Sequence, residues 1–166
     1  MCRSIYLQAE ADELKGFYLQ WSKSEVREME KTLVLIKPDA VRARHIGDII
    51  KIYEEKGLDI LAMKMLKMDE RLASKHYEEH IGRDYYDDLM GFMTSGPIVA
   101  MVLQGKDAIA NVRAINGKTN PAQAAEGTIR KLYAASGTRN AVHASDSPEN
   151  AKREISIFFS AAEIFD

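Results

Sequence analysis

The alternation of strand-like and helix-like segments predicts an α/β fold, here an α+β sandwich of the ferredoxin-like βαββαβ type. From residue 31 onward, short runs rich in β-branched residues alternate with segments whose apolar residues recur every three or four positions. Glycine, proline or an N-capping residue marks most boundaries, and 166 residues suit one domain. We therefore expect a four-stranded antiparallel sheet with helices packed on one face.

The first half of the pattern predicts a strand, a helix and a second strand. Residues 32–36 (TLVLI) form a short apolar run that ends just before Pro38. Apolar residues at helical spacing over 46–53 predict a helix, which Gly57 ends. Residues 58–68 (LDILAMKMLKM) alternate well enough for a half-exposed strand.

The next segment predicts a helical pair, the third strand and another helix. Asp69 is a suitable N-cap for a polar-faced helix, and residues 85–93 carry a second helical pattern. Residues 98–103 (IVAMVL) follow a Ser-Gly-Pro turn and form the clearest strand in the chain. Residues 106–115 then have the pattern of a helix.

The last segment predicts a long loop, a helix and a closing strand. Residues 117–133 are polar and punctuated by glycine and proline, which is typical of an ordered functional loop. Ser147 and Pro148 have the residue types of an N-cap and a first helical position. Residues 155–160 (ISIFFS) are predicted to be the fourth strand.

Composition limits the classes of function. The formal net charge is -2, from 25 acidic and 23 basic residues, which argues against a nucleic-acid binder that works by bulk charge. Cys2 is the single cysteine, so no intramolecular disulfide is possible and a reducing compartment fits. No apolar run approaches the ~18–20 residues that span a bilayer. A secretory signal pattern is missing, so we expect a cytoplasmic protein without membrane contacts.

The first residues differ from the rest of the chain. Residues 1–29 contain the single tryptophan, Trp21, and a charged and aromatic pattern compatible with an amphipathic helix. Two interpretations fit this segment: an extension that docks on the body, or a mis-assigned start, with translation beginning at Met29. The domain itself is predicted to cover residues 30–166.

Two sequence features have ordinary interpretations that we prefer. Gly117-Lys118-Thr119 resembles the end of a phosphate-binding P-loop, but Val112 stands where that motif needs glycine. His76 and His80 have the spacing of metal ligands on a helix. HYEEH is not HExxH, however, and no third ligand is evident, so we expect a solvated helix face.

His143 stands apart because it lies just before a predicted helix start, where the helix dipole and free N–H groups favour negative charge. Ser145 or Glu154 could hydrogen-bond one imidazole nitrogen and leave the other free. Basic residues elsewhere would form a phosphate clamp if the fold brought them together, although a lone loop histidine is usually only solvated. These basic residues are Lys37, Arg113 and Arg130.

Six separated motifs resemble the nucleoside diphosphate kinase family, in family order and at family spacing, over residues 30–165. They are TLVLIKPDAV (32–41), HIGDII (45–50), KHY (75–77), MTSGPIVAMVL (93–103), NGKTNPAQAAEGTIR (116–130) and NAVHASDSPENAKREI (140–155). The resemblance implies a ping-pong transfer of the γ-phosphate of ATP or another nucleoside triphosphate to a nucleoside diphosphate, which maintains nucleotide pools.

The resemblance also implies roles for individual residues. His143 would become phosphorylated, while Ser145 and Glu154 would orient its imidazole, with Glu154 on the ring nitrogen that does not react. The nucleotide would contact Lys37, Tyr77, Tyr85, Leu89, Arg113, Thr119, Arg130 and Asn140. Tyr85 would stack on the base, with Leu89 as a second apolar contact. Mg²⁺ would be the cofactor, carried by the nucleotide phosphates without protein ligands.

Some residues depart from the family pattern. Ala144 replaces the usual glycine, which would cost about 1 kcal/mol at positive φ and nearly nothing at negative φ. We expect the harmless case. Asp84 replaces a common proline. The short C-terminus favours a homotetramer, while Pro121 keeps a homohexamer open.

Two other classes of function remain as alternatives. One is a regulatory module that keeps the fold without chemistry, and the other is a protein-histidine phosphotransfer component. Intact basic and histidine positions argue against the first. Tyr85, Leu89 and Thr119 would be surplus in the second.

Overall fold

A computed structural model describes residues 29–165 of the chain, so both interpretations of residues 1–28 lie outside the described part. Its four strands, in the order β2-β3-β1-β4, form one antiparallel sheet, which confirms the predicted fold class. The strands are β1 (Met29–Ile36), β2 (Asp59–Lys67), β3 (Pro97–Lys106) and β4 (Val142–Ala144). The helices are α1 (Pro38–Arg42), α2 (Ile46–Glu55), α3 (Glu70–His76), α4 (Tyr86–Met93), α5 (Ala108–Asn116), α6 (Ile129–Tyr133) and α7 (Pro148–Phe158).

Helices cover both faces of the sheet, so the expectation of one covered face is wrong. Leu33 and Leu35 of β1 pack into one apolar cluster, with side chains from α3, α4 and α7. Val34 and Ile36 point the other way, into a second cluster with α2, α5 and α6. The physical reason lies in the sequence of β1, because a continuous apolar run places buried side chains on both sides of a strand.

The predicted strand over residues 155–160 is also wrong, because α7 continues to Phe158. Ala151, Glu154 and Phe158 are its buried residues, three and four positions apart, which is the stripe of a helix that packs on a sheet. This tertiary packing overrides the β-propensity of the isoleucine and phenylalanine side chains. The fourth strand is instead β4, three residues long, in which His143 pairs with Leu35 of β1.

Local signals in the sequence place several helix ends correctly. Asp69 caps α3 by accepting a hydrogen bond from the backbone N–H of Leu72. Ser147 caps α7 through the N–H of Asn150 at 3.1 Å, and Pro148 opens that helix. The predicted loop over residues 117–133 is partly helical, since it contains a 3₁₀ turn (Pro121–Gln123) and α6.

Within residues 29–165, every helix is too short or too polar to cross a bilayer.

Candidate active site

A cleft of about 980 Å³ opens where β4 meets the ends of α3, α5 and α7. It brings together residues that stand more than one hundred positions apart in the sequence. All of the residues that sequence analysis selected line this cleft, with the exception of Ser145. Those residues are Lys37, Tyr77, Tyr85, Leu89, Arg113, Thr119, Arg130, Asn140, His143 and Glu154.

The imidazole of His143 is held by a carboxylate behind it. Nε2 of His143 lies 3.0 Å from Oε2 of Glu154, whose side chain is 6% exposed. An ionised carboxylate can accept hydrogen bonds but cannot donate them. The proton of the imidazole is therefore assigned to Nε2, and Nδ1 keeps its lone pair. Ser145 contacts the imidazole only through Glu154, because its hydroxyl donates to the same Oε2 at 2.6 Å and accepts from the N–H of Leu33.

Glu154 stays ionised in this arrangement. Burial alone would raise the pKa of its carboxyl group, but hydrogen bonds from His143 and Ser145 and the charge of Arg153 outweigh burial, so the pKa is lowered. Arg153 also donates to Glu78 at 3.1 Å. It thereby joins α7 to the 3₁₀ turn (Glu78–His80) that follows α3.

A second buried group lies beside β4. Nζ of Lys37 donates to Oδ1 of Asn140 at 2.7 Å. Burial, followed by the charge of Arg130, lowers the pKa of Lys37 to about 8. Arg130 donates to the carbonyl oxygens of Gly117 at 2.8 Å and Val142 at 3.0 Å. Asp39 raises the pKa of Lys37 less than burial and Arg130 lower it, so the two neighbouring cations favour an anionic ligand in the cleft.

A tight turn places Asn140 and His143 on the cleft wall. Ala141 has φ of +65°, and its N–H donates to Oδ2 of Asp39 while its carbonyl accepts from the N–H of Lys37. For a non-glycine residue this conformation costs on the order of 1–2 kcal/mol. Ala144 is not among the described residues with positive φ, because it lies in β4. The harmless alternative for the missing glycine therefore holds.

The outer part of the cleft is more open. Tyr85 is 48% exposed, and its hydroxyl lies 2.9 Å from Nδ1 of His80. Arg113 and Thr119 are exposed as well, whereas Leu89 is buried. Deeper in the cleft, the hydroxyl of Tyr77 is buried and has no partner among residues 29–165. Burial raises the pKa of Tyr77, so the hydroxyl keeps its proton and can donate to a ligand.

His76 is a residue of this site that sequence analysis misjudged. It is buried, and its ring meets that of His143 edge to face with centroids 4.7 Å apart. Burial, and then the charge of His143, lowers the pKa of His76 well below its usual range. The expected solvated helix face is wrong, because His76 ends α3 while His80 belongs to the following 3₁₀ turn. His76 follows Ala73 by three positions, so the two share one face of the helix. That spacing was the signal in the sequence that His76 is buried together with Ala73.

Comparisons with known proteins agree on one family. Residues 30–164 match the family model described as nucleoside diphosphate kinase. A nucleoside diphosphate kinase of Listeria monocytogenes is 55% identical over 136 residues, covering 82% of this chain and 92% of that protein. One of Methanocaldococcus jannaschii is 53% identical over 137 residues, covering 82% and 98%.

Solved structures give the same result at the level of the backbone. The nucleoside diphosphate kinase of Aquifex aeolicus has a TM-score of 0.81 and 41% identity, covering 82% of this chain and 99% of that one. The enzyme of Halobacterium salinarum, solved in complex with CDP, has a TM-score of 0.81 and 42% identity, covering 84% and 93%.

Proposed function

The chain belongs to the nucleoside diphosphate kinase family, and from that premise we propose that His143 carries the phosphoryl group between nucleotides. The family consists of phosphotransferases, so the type of enzyme follows from membership. The observation that carries the proposal is the hydrogen bond between His143 and the buried Glu154 at the cleft wall. It leaves Nδ1 as the nitrogen with a free lone pair.

In the first half-reaction, Nδ1 of His143 attacks the γ-phosphorus of a nucleoside triphosphate. The P–N bond forms as the bond from phosphorus to the bridging oxygen breaks, and the electron pair of that bond leaves with the diphosphate. Nε2 keeps its proton, so the phosphorylated ring is cationic and the Glu154 carboxylate stabilises it. A second diphosphate then attacks the same phosphorus and regenerates the free imidazole.

The rest of the deep cleft supplies charge and orientation. Phosphoryl transfer depends mainly on positioning and on neutralising the phosphate oxygens. Lys37 and Arg130 bring two positive charges, and Arg113 adds a third at the outer end. The unpartnered hydroxyl of Tyr77 and the amide of Asn140 are suited to hydrogen bonds with the transferring group.

Mg²⁺ is the proposed cofactor, and the cleft residues do not fit a protein cage for it. The one three-residue group of potential ligands in the described part contains two imidazoles, whereas Mg²⁺ prefers six oxygen ligands. Mg²⁺ would therefore arrive on the nucleotide phosphates, where it neutralises negative charge. Tyr85 and Leu89 would contact the base, and stacking on a π-face common to all bases would allow many nucleotides.

The location and the assembly stay predictions. We propose a cytoplasmic homo-oligomer, with tetramer and hexamer both open. The role in maintaining nucleoside triphosphate pools is proposed on the same basis as the phosphohistidine route.

The experiment for this proposal is a labelling assay with the whole chain. The protein is incubated with γ-labelled ATP and Mg²⁺ without an acceptor, and the label should become protein-bound, acid-labile and base-stable. Addition of GDP should then release labelled GTP. His143→Ala should abolish both steps, whereas His45→Ala, at a histidine outside the cleft, should retain them. Transfer by His143→Ala at the wild-type rate would refute the proposal.

A further inference from the structure

His76 is a buried imidazole that the proposed phosphoryl transfer does not use. Its side chain is 2% exposed, and neither ring nitrogen has a hydrogen-bond partner among residues 29–165. Buried polar atoms nearly always have partners, and those without one commonly bind a water, an ion or a ligand. His76 also lines the cleft. Its ring nitrogens are themselves buried, so the ring must turn toward the cleft to bind a ligand there.

His76, His143 and Glu154 together form a group with metal-ligand geometry. One ligand atom from each residue lies within 4.8 Å of the other two. In a tetrahedral site with bonds of about 2.0–2.2 Å, ligand atoms are roughly 3.4 Å apart, so the group must contract by on the order of 1 Å. Nε2 of His143 and Oε2 of Glu154 are already 3.0 Å apart. His76 breaks no hydrogen bond when its ring turns toward them.

We infer that His76, His143 and Glu154 form a metal site of the protein itself, which binds a borderline transition-metal ion such as Zn²⁺, and that the bound ion inhibits phosphoryl transfer. Two imidazoles and one carboxylate form the ligand set of open zinc sites, in which a fourth position remains for water or substrate. All three residues line the cleft, so a water or a phosphate oxygen in the cleft is the expected fourth ligand. Mg²⁺ is a poor occupant, because it demands oxygen ligands in octahedral geometry.

Inhibition follows from the ligands that the two functions share. Coordination through Nε2 of His143 breaks the hydrogen bond to Glu154 and leaves the ring proton on Nδ1, so the nitrogen proposed to attack phosphorus has no free lone pair. The carboxylate is then committed to the ion and no longer stabilises a phosphorylated imidazole. This inhibition rests on the proposed role of His143, whereas metal binding by the three side chains does not.

Metal binding can be measured without nucleotide. The full chain, carrying Cys2→Ser to remove its thiol, is treated with chelator and titrated with Co²⁺, whose visible absorption reports a four-coordinate site. We expect one Co²⁺ per chain, displaced by Zn²⁺. His76→Phe keeps a ring in the packing but removes both nitrogens, and it should weaken Co²⁺ binding at least tenfold. Equal affinity in His76→Phe and its parent would overturn the inference.

Two matched variants test whether the site is the one inferred. His45→Gln removes a histidine outside the cleft, and His80→Gln removes the other histidine that lines it. Both should bind Co²⁺ as the parent does. A loss in either variant as large as in His76→Phe would also overturn the site.

A variant-free measurement covers the case in which His76→Phe folds poorly. In the parent protein, Zn²⁺ should shift the imidazole ¹⁵N resonances of His76 and His143 and leave those of His45 and His80 unchanged. Unshifted His76 resonances at saturating Zn²⁺ would contradict the site. Free Zn²⁺ at a buffered concentration should slow Mg–ATP turnover. The Zn²⁺ concentration that halves the rate should be at least tenfold higher in His76→Phe, with each protein compared to its own rate without Zn²⁺.

The two proposals fail separately. If His143 takes no label in the absence of Zn²⁺, the phosphohistidine proposal fails while Co²⁺ binding still tests the metal site. If labelling is normal but Co²⁺ does not bind, the metal site alone fails.

Discussion

The deep end of the cleft and its outer rim are built in different ways. At the deep end, Lys37, Asn140, His143 and Glu154 are held by hydrogen bonds between 2.6 and 3.0 Å, and most are buried. At the rim, Tyr85 is 48% exposed, and Arg113 and Thr119 are exposed too. The deep groups proposed to act on the transferring phosphate are thus held in place by hydrogen bonds within the protein, while the rim side chains remain open to solvent.

The largest expected effect comes from breaking the deep end at Glu154. Glu154→Gln keeps the shape but replaces the anionic acceptor that selects the imidazole tautomer. We expect the rate of His143 phosphorylation to fall by about 10²–10³-fold, with little change in nucleotide affinity. Single-turnover labelling measures this rate.

Glu149→Gln is the matched control for that variant, because Glu149 lies exposed in the first turn of the same helix. Its labelling rate should match the wild type. An unchanged labelling rate in Glu154→Gln would mean that this carboxylate does not orient His143 for the reaction.

The next effect concerns the loss of stability that comes from burying the charged amine of Lys37. Its pKa is about 8 in the folded protein against an ordinary 10.5, so the unfolded chain binds the extra proton between these pH values. The free energy of unfolding should therefore rise with pH from about 8 to 10.5. Lys37→Met should be more stable at pH 7 by about 2–3 kcal/mol, and this advantage should vanish near pH 10.5. Chemical denaturation across this range measures it.

Lys51→Met provides the comparison for Lys37→Met, since Lys51 is exposed and forms an ion pair with Glu55 within α2. It should show no such gain at pH 7. If the difference in unfolding free energy between Lys37→Met and the wild type did not change with pH, the pKa of Lys37 would not be lowered in the folded protein.

A smaller effect is expected from the rim. Tyr85→Ala removes the ring proposed to stack on the base, and a lost stack is worth about 1–3 kcal/mol. KM for nucleotide should therefore rise about 5- to 150-fold while kcat changes little, because the deep end is untouched. Tyr85→Phe keeps the ring and removes only the hydrogen bond to His80, so its KM should stay close to that of the wild type. Steady-state kinetics with several nucleotides separate these outcomes. If Tyr85→Ala lowered kcat and left KM unchanged, the rim would not differ from the deep end in its role.

The smallest effect lies outside the cleft altogether. Lys64 of β2 donates to Glu163 at 2.6 Å and, with Ser160, lowers the pKa of Glu163 to about 2. Glu163→Gln removes this exposed ion pair, so Tm at pH 7 should change by at most a few degrees and turnover should be unaffected. The difference in Tm should disappear as the pH falls through about 2. Scanning calorimetry at both pH values provides the measurement.

Different parts of the molecule were predictable from the sequence for different physical reasons. The run TLVLI, the Asp69 cap and the Ser147-Pro148 helix start are local signals, and the structure contains each of them. The cleft residues came from motif resemblance, and the structure brings them together around His143. Residues 155–160 misled because their β-propensity is local, while the stripe that buries Phe158 depends on the sheet beneath it.

His76 shows the same limit within the site. Its neighbours in the sequence are polar, which suggested solvent exposure. Only the packing of Tyr77, His143 and Phe158 around its ring makes it a buried group. The coverage of both sheet faces had a signal in the continuous apolar run TLVLI, although that run does not say which helices pack on each face.

The contacts of the chain on either side of β4 also bear on the order in which the protein folds. Ser145 meets Leu33 across 112 positions, and Lys37 meets Asn140 across 103. Contacts so distant along the chain close large loops and form slowly, after local helices have appeared. The proposed catalytic site therefore exists only once the first and last thirds of the domain have met. Phosphotransfer competence during refolding is thus a reporter of completed topology, whereas helical content alone can be regained earlier.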